Sequence, residues 1–378
     1  MATTTKKKRY ATHITLPSGK RVYVSAKTKE ELDEKVLQAK LEVGAGVDLG
    51  NDTLFNDYAT TWLEAYKKPK LRPISYLNME QVIRTHFVPF FEGMKLRDIK
   101  PMHIQLFLSQ KQNFSRSFQS KCIVMLSGIF DSAVENGLIY KSPVTKGSKP
   151  GGRPPKKVEA LTQEQARALL EAVKGTQAYT FCFLALSTGM RRGEIVGLMW
   201  DDIDFEQARI TVQHNLVLSG YSVDIPVTTV LKTEASNRVI PVLPELLEHL
   251  IEVRKTSNSP YVLSRSNGDC HTMGSFRGLW GLVETRTASE KRPLGSVSHG
   301  GKNGKVTVSL DFTCHPHQLR HTCITQWVES GMDFKEVQYL AGHSTLDKTL
   351  RVYAHYRLSS RATETAQKVC SASSYLVE

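Results

Sequence analysis

No segment of this sequence is apolar for long enough to cross a bilayer. The longest apolar run, Phe181 to Leu186, falls far short of the roughly 20 residues a membrane helix needs. There is no signal peptide, and the six cysteines are scattered without one CxxC pair, so disulfides are not expected and a reducing cytoplasm is the expected compartment. Metal-ligand spacing is lacking too. Cys314, His315, His317, His321 and Cys323 crowd together, but not at finger spacing, and no HExxH frame holds His317 and His321. A metal is therefore not expected. Acid is scarce: 37 Asp and Glu stand against 50 Lys and Arg, a net charge of +13 with a pI near 9.4. That excess suits a polyanion, most simply nucleic acid, although many basic proteins bind none. At 378 residues and 40% hydrophobic content the chain has room for two or three ordinary globular domains.

Residues Tyr10 to Ser25 alternate roughly polar and apolar around Leu16-Pro-Ser-Gly-Lys20, the pattern of two short strands and a turn. Thr28-Lys-Glu-Glu31 is then a capping box opening a helix with Leu32, Val36, Ala39 and Val43 on one face. Residues 1–47 are therefore expected to form a small sheet backed by one helix. Lys6, Lys7, Lys8 and Arg9 lead into it, and Lys20 and Arg21 sit at the hairpin. The basic lead-in also passes for a nuclear localisation signal, but an N-terminal arm on DNA is the better reading. Gly44 to Asp52 reads as a flexible linker.

Residues 53–145 have a helical pattern throughout. Leu54, Tyr58, Trp62 and Tyr66 give one stripe, and Leu77, Val82, Ile83 and Phe87 another. Pro101 suits the start of a third helix bearing Ile104, Phe107 and Leu108. A fourth runs from about Phe118 to Asn136 and stops at Gly137. Lys111, Arg116 and Lys121 flank its start and are candidate phosphate contacts. Residues 146–157 continue a basic, proline-rich, acid-free stretch that includes Arg153, Lys156 and Lys157. Such a composition forms no core and reads as an extended linker suited to crossing a duplex backbone.

The last stretch, 158–378, mixes helices and short strands. Thr162 and Gln165 form a second capping box, with Ala166, Leu169, Leu170 and Val173 on the buried face. Strands are expected at Arg209–Gln213, Val227–Lys232 and Arg238–Val242, a helix around Met273–Glu284, and a glycine-rich hairpin within residues 289–310. The expected fold class is multidomain and mainly α with small β-sheets: a sheet-plus-helix module, a helical domain and an α+β domain.

The residues that carry chemistry gather in this last domain. Thr188-Gly189-Met190-Arg191-Arg192-Gly193-Glu194 ends one helix and begins another. Downstream, His317-Gln318-Leu319-Arg320 reads as a first helical turn with imidazole and guanidinium on one face. His343 follows in an Ala-Gly-His-Ser turn, and Tyr353 lies ten residues later. These four motifs, spread in order over more than 160 residues, resemble the signature of the tyrosine recombinases, the phage lambda integrase family.

The resemblance implies a catalytic set of Arg191, Lys232, His317, Arg320, His343 and the nucleophile Tyr353, with Glu194 holding Arg191 rather than doing chemistry. Lys232 is the lysine the family carries in a hairpin; Lys255 lies too far along. A phosphodiester gains negative charge as it becomes pentavalent, and two guanidiniums grip such oxygens with fork geometry and never lose their charge. A phenol titrates near about pH 10, so attack at neutral pH needs a proton acceptor or a strongly cationic site. His317 suits the acceptor role or that of a donor to the phosphate, and Lys232 the proton donor to the leaving 5′-oxygen. The family's product is a 3′-phosphotyrosyl link, which stores the bond energy, so rejoining needs no metal or nucleotide.

The implied function is site-specific recombination, integrating and excising a mobile element through a Holliday junction. The N-terminal module then corresponds to an arm-site binder, residues 53–145 to a core-binding domain, and 158–378 to the catalytic domain with its tail. Double-stranded DNA, three further copies in a homotetramer, DNA-bending proteins and an excision factor are the expected partners, with no membrane and a bacterial cytoplasmic, nucleoid-associated location. A type IB topoisomerase, or a DNA-binding protein that has lost catalysis, are the alternatives; the arm-like module and the complete polar set argue against them.

Overall fold

Strands β1 (Tyr10–Thr15) and β2 (Arg21–Ala26) pair antiparallel, Tyr10 opposite Ala26 and Thr15 opposite Arg21. Strand alternation buries Ile14 and Ala26, on the side where α1 (Lys29–Gly44) packs with its buried Leu32. It leaves His13, Arg21 and Tyr23 exposed, the two rings meeting edge to face at 5.2 Å. Thr28 Oγ1 caps the Glu31 amide at 3.1 Å. The Glu31 carboxylate, however, reaches past Thr28 to the Lys27 amide at 3.1 Å, so only half of the expected capping box forms. The computed structural model describes residues 9–15, 19, 21–47, 49, 52–154, 158–218, 237–287, 312–347 and 349–350. Lys6, Lys7, Lys8, Lys20, Lys156, Lys157, Lys232, Tyr353, the expected strand at 227–232 and the 289–310 segment lie outside the described residues.

The chain divides into two units, Met1–Lys157 and Val158–Glu378. In the first, the expected flexible linker is tied down. Val47 is buried, Asp52 pairs with Lys95 at 2.9 Å and Arg97 at 2.6 Å, and Arg97 also donates to the Leu49 carbonyl. Four helices follow. They are α2 (Phe55–Trp62) and α3 (Pro73–Val82), which continue as π-helical turns over Leu63–Lys67 and Ile83–Phe87, then α4 (Pro101–Gln110) and α5 (Arg116–Glu135). Phe55, Phe87, Phe91, Phe107 and Phe130 fill their core, every one fully buried. Tyr66, expected in the buried stripe, is exposed. It falls in the π-helical turn over Leu63–Lys67, where the wider i→i+5 winding takes the chain out of the α-helical phase of the stripe.

The segment at 146–157 does not run free along its length. Gly151 N donates to Gln119 Oε1 at 2.8 Å and Gly152 N to Gln112 Oε1 at 3.0 Å. Arg116 N and Arg153 O, and Arg153 N and Phe114 O, then pair at 2.8 and 2.9 Å. Through Arg153 the segment is stitched to the corner between α4 and α5.

The second unit opens with α6 (Gln163–Val173), whose Thr162–Gln165 capping box forms in full. Helices α7 (Gln177–Thr188) and α8 (Arg192–Val196) follow. Strands β3 (Ile203–Asp204), β4 (Arg209–Val212) and β5 (Arg238–Pro241) make an antiparallel sheet in that order. Then come α9 (Pro244–Thr256), α10 (Met273–Arg286), α11 (Pro316–Glu329) and α12 (Phe334–Ala341). One core of Leu169, Phe181, Ile195, Ile210, Ile240 and Leu319 joins these helices to the sheet, and α7 packs along α11. No helix among the described residues is long and apolar enough to cross a membrane.

Candidate active site

The site is built where α7 ends, α11 begins and α12 stops. Gly189 closes α7 in the left-handed conformation at φ +60°, which a glycine adopts without penalty. A Cβ there would also stand 3.1 Å from the Trp327 ring and 3.4 Å from Cys323 Sγ. The break turns the chain so that Arg191 becomes the N-cap of α8, with Glu194 one turn on. Glu194 accepts from the Arg191 amide at 2.8 Å and from Arg191 Nη1 at 2.7 Å. Glu194 thus holds both the backbone and the guanidinium of Arg191.

Glu194 has a second cationic partner that sequence reading missed. Arg238, the first residue of β5, donates Nη2 to Glu194 Oε2 at 2.8 Å and Nη1 to Oε1 at 3.2 Å. Its side chain is 0% exposed and that of Glu194 2%, so the pair is fully desolvated. The signal was present in the strand pattern: Arg238 is in phase with buried Ile240, and period two sends both to the core face. Burial alone would raise the Glu194 carboxyl, but hydrogen bonds and charge from Arg238, then the charge of Arg191, hold it below the usual carboxylate range.

Three consecutive carbonyls at the end of α12 take the guanidiniums. Arg238 Nε donates to Leu340 O at 2.7 Å, Arg320 Nη2 to Ala341 O and Arg191 Nη2 to Gly342 O. Helix C-termini leave such carbonyls without intrahelical donors and carry partial negative charge, which is why three cations can cluster there. Arg320 also donates Nη1 to Gly189 O, tying α7 to α11. Burial, then Arg191, pushes its guanidinium down to about 9, which leaves it charged at neutral pH. Three guanidiniums around one carboxylate give the site a net positive field.

His343 follows directly. Its amide donates to Gln338 O at 3.0 Å and its Nδ1 meets Thr349 Oγ1 at 2.9 Å. His317 stands one residue into α11 with its outer side exposed. The protein packed on its inner side, then the Arg320 charge, pushes its imidazole below the ordinary value; it is therefore neutral at neutral pH and able to accept a proton. A cleft of about 570 Å³ lined by Arg191, Gly193, Asn215, Leu216, His315 and His317 opens beside it. Among the described residues no cluster of three or more His, Cys, Asp or Glu is arranged to hold a metal ion.

Gly342 is where the cations come closest to the backbone. At φ +61° it is left-handed, and a Cβ would lie 3.0 Å from Arg238 Nη1 and 3.2 Å from Arg191 Nη1. Gly342→Ala is expected to cost about 1–2 kcal/mol through the backbone alone, with a further loss from the crowded guanidiniums. Urea denaturation measures it, and Gly342→Asn, which tolerates this conformation better, should lose less. A Gly342→Ala protein as stable as wild type would show that the corner has room to spare.

The expected DNA contacts in the first unit fall in two places. Arg9 and Arg21 are exposed on the N-terminal module. Lys111, Arg116 and Arg153 meet at the α4–α5 corner. Lys111 Nζ lies 5.6 and 5.7 Å from the Phe107 and Phe114 ring centres, and Arg153 Nε donates to Asn113 O at 2.8 Å. Lys121 is exposed further along α5.

Comparison with known proteins accords with this arrangement. The phage integrase family matches residues 159–359, and the N-terminal SAM-like domain of phage integrases matches residues 54–112. A tyrosine recombinase XerC-like protein of Caldanaerobacter subterraneus subsp. tengcongensis is 27% identical over 346 residues, 87% of this chain and 86% of that one. The transposase from transposon Tn916 of Enterococcus faecalis is 24% identical over 374 residues, 92% and 84% of the two chains. Among solved structures, the Tn1549 transposon integrase in complex with a circular intermediate DNA shares the fold. Its TM-score is 0.66 at 22% identity, over 83% of this chain and 99% of that one. A lambda integrase tetramer bound to a Holliday junction gives 0.54 at 16% identity, over 88% and 93%.

Proposed function

The chain belongs to the phage integrase family, and on that premise we propose that it cuts and rejoins DNA with Tyr353 as nucleophile and Arg191, Arg320, His317, His343 and Lys232 around one phosphate. It is a tyrosine recombinase, and its function is site-specific recombination. The observation that carries the residue assignment is the convergence of Arg191 and Arg320 on the carbonyls of Ala341 and Gly342, immediately before His343. A phosphodiester set against that corner meets fixed positive charge without waiting for solvent to reorganise, and the field grows in value as the pentavalent state gains charge. His317, held neutral, is the acceptor for the phenolic proton. Lys232 serves as donor to the leaving 5′-oxygen.

The partners follow from what the relatives hold. Double-stranded DNA is the substrate, gripped by the helical domain near Lys111, Arg116, Lys121 and Arg153, with the linker lysines Lys156 and Lys157 adding charge. The N-terminal module, with Arg9, Arg21 and Lys20 and its Lys6–Lys8 lead-in, takes a separate arm site. Four copies form the synapse and resolve a Holliday junction, moving a mobile element in a bacterial cytoplasm with DNA-bending proteins and an excision factor.

The test is strand cleavage on a nicked suicide substrate that traps the covalent adduct. Arg191→Lys keeps a positive charge and loses the fork that spans Glu194 and Gly342. It should bind its site as wild type does and cleave about 10²–10³-fold more slowly. Equal cleavage by the two proteins would remove Arg191 from the site. No adduct from the wild-type protein on its own site would remove the reading altogether.

A further inference from the structure

Among the cations of the site, Arg238 has no place in the reaction described above, yet it is the most completely buried. Its side chain is 0% exposed, and it faces the two elements on which that reaction depends. Two of its nitrogens meet the two Glu194 oxygens, at 2.8 and 3.2 Å, while the third donates to Leu340 O at 2.7 Å. Glu194 in turn orients Arg191, and Leu340 lies two residues before Gly342, which receives Arg191 Nη2. The backbone of β5 adds a further tie, Val239 N donating to Tyr339 Oη at 3.1 Å.

We propose that Arg238 is a positioning residue for DNA cleavage, holding Glu194 and the end of α12 in one register so that Arg191, which both of them bind, faces the phosphate. The inference rests on the assignment of Arg191 given above. A buried guanidinium is costly to desolvate, and a hydrophobic residue of similar size often serves stability as well or better. A purely structural role therefore does not call for an arginine here. What an arginine supplies is planar, two-sided hydrogen bonding to a carboxylate, with a remaining donor at a fixed angle to it. A lysine ammonium has three donors but all on one nitrogen, so it lacks the planar fork that matches both carboxylate oxygens and a separate donor for the carbonyl.

The Arg238 side chain is wholly buried, so it acts through Glu194 and Arg191 rather than by touching DNA. Its loss should then leave site binding intact and slow the single-turnover cleavage step by about a hundredfold, the scale of a small misplacement of a catalytic group. The decisive readout is coupling between the two arginines. Arg191→Lys, Arg238→Lys and the double variant are compared for site binding, melting temperature and rate of adduct formation on the suicide substrate. Arg238→Gln, which keeps one donor without charge, takes the place of Arg238→Lys if the latter does not fold.

Because Arg238 works through Arg191, the double variant should cleave no more slowly than Arg191→Lys alone. Losses that multiply would mean that Arg238 acts independently and would overturn the proposal. So would an Arg238 variant that melts earlier but cleaves at the wild-type rate below its melting temperature, since that is the mark of a merely structural residue. A wild-type protein that forms no adduct overturns the assignment of Arg191 as well, which separates the two failures.

Discussion

Replacing Glu194 by alanine should destabilise the catalytic domain by about 3–5 kcal/mol, the usual cost of removing one partner from a buried ion pair, and should reduce adduct formation to background. Two guanidiniums share this carboxylate. Arg191 can turn towards solvent, its side chain being 37% exposed; Arg238 is fully buried and cannot. Its desolvated charge would then lose both carboxylate oxygens while the other arginines stay close. Glu194→Gln keeps the shape and one acceptor oxygen, so it should fall between alanine and wild type. Chemical denaturation gives the stability and the suicide substrate gives the cleavage. A Glu194→Ala protein with wild-type stability would mean that Arg238 has another anion to rest on.

The pH dependence of this pair has a definite sign. The Glu194 carboxyl sits below its ordinary value of 4.5 in the folded protein. Its contribution is therefore fully present above pH 4.5 and is lost as acid protonates it in the folded state. The clamp is intact across the neutral range, where strand transfer would run.

How far the sequence told this in advance varies with the kind of signal. Gly189 and Gly342 were legible because each combines a helix stop with a backbone conformation that glycine adopts best, and both stand next to the chemistry. The Thr162–Gln165 box was legible because its hydrogen bonds are local. Thr28–Glu31 has the same letters, yet its carboxylate found the Lys27 amide instead, a choice between neighbours that spacing does not decide. The stitching of Gly151, Gly152 and Arg153 onto the α4–α5 corner was hidden because its partners, Gln112, Phe114 and Gln119, lie more than thirty residues upstream. Composition reports only that such a segment has no core of its own.

Arg238 was hidden for a different reason. In Asn237-Arg-Val-Ile-Pro241 an arginine at the head of a strand reads as a solvated charge. Only the phase with Ile240 hints that it points inward, and only the fold brings Glu194 and Leu340 to meet it. The residues a family motif names are those that face the phosphate. Those that hold the motif residues in place lie in other elements and carry no spacing relation to them.

Tyr353→Phe should give a protein that binds its site, assembles, and forms no covalent adduct on a denaturing gel. The loss is complete in kind, because phenylalanine removes the attacking oxygen and almost no volume. Tyr353 and Tyr356 both lie outside the described residues, three apart in the sequence. The argument for Tyr353 runs from the anchored side of the corner. His343 is fixed by the Gln338 carbonyl and Thr349, and the chain is helical again at Leu346–Asp347 and at Thr349–Leu350. Tyr353 stands ten residues from His343 in the sequence, the interval at which the family carries its nucleophile. Tyr356 lies three residues further along the sequence than that interval, and whichever phenol attacks needs the guanidiniums to lower the cost of a phenolate whose free pKa is about 10. Tyr356→Phe should therefore still form the adduct, only more slowly. An adduct with Tyr353→Phe and none with Tyr356→Phe would move the nucleophile three residues along the sequence and leave the arginine cluster standing.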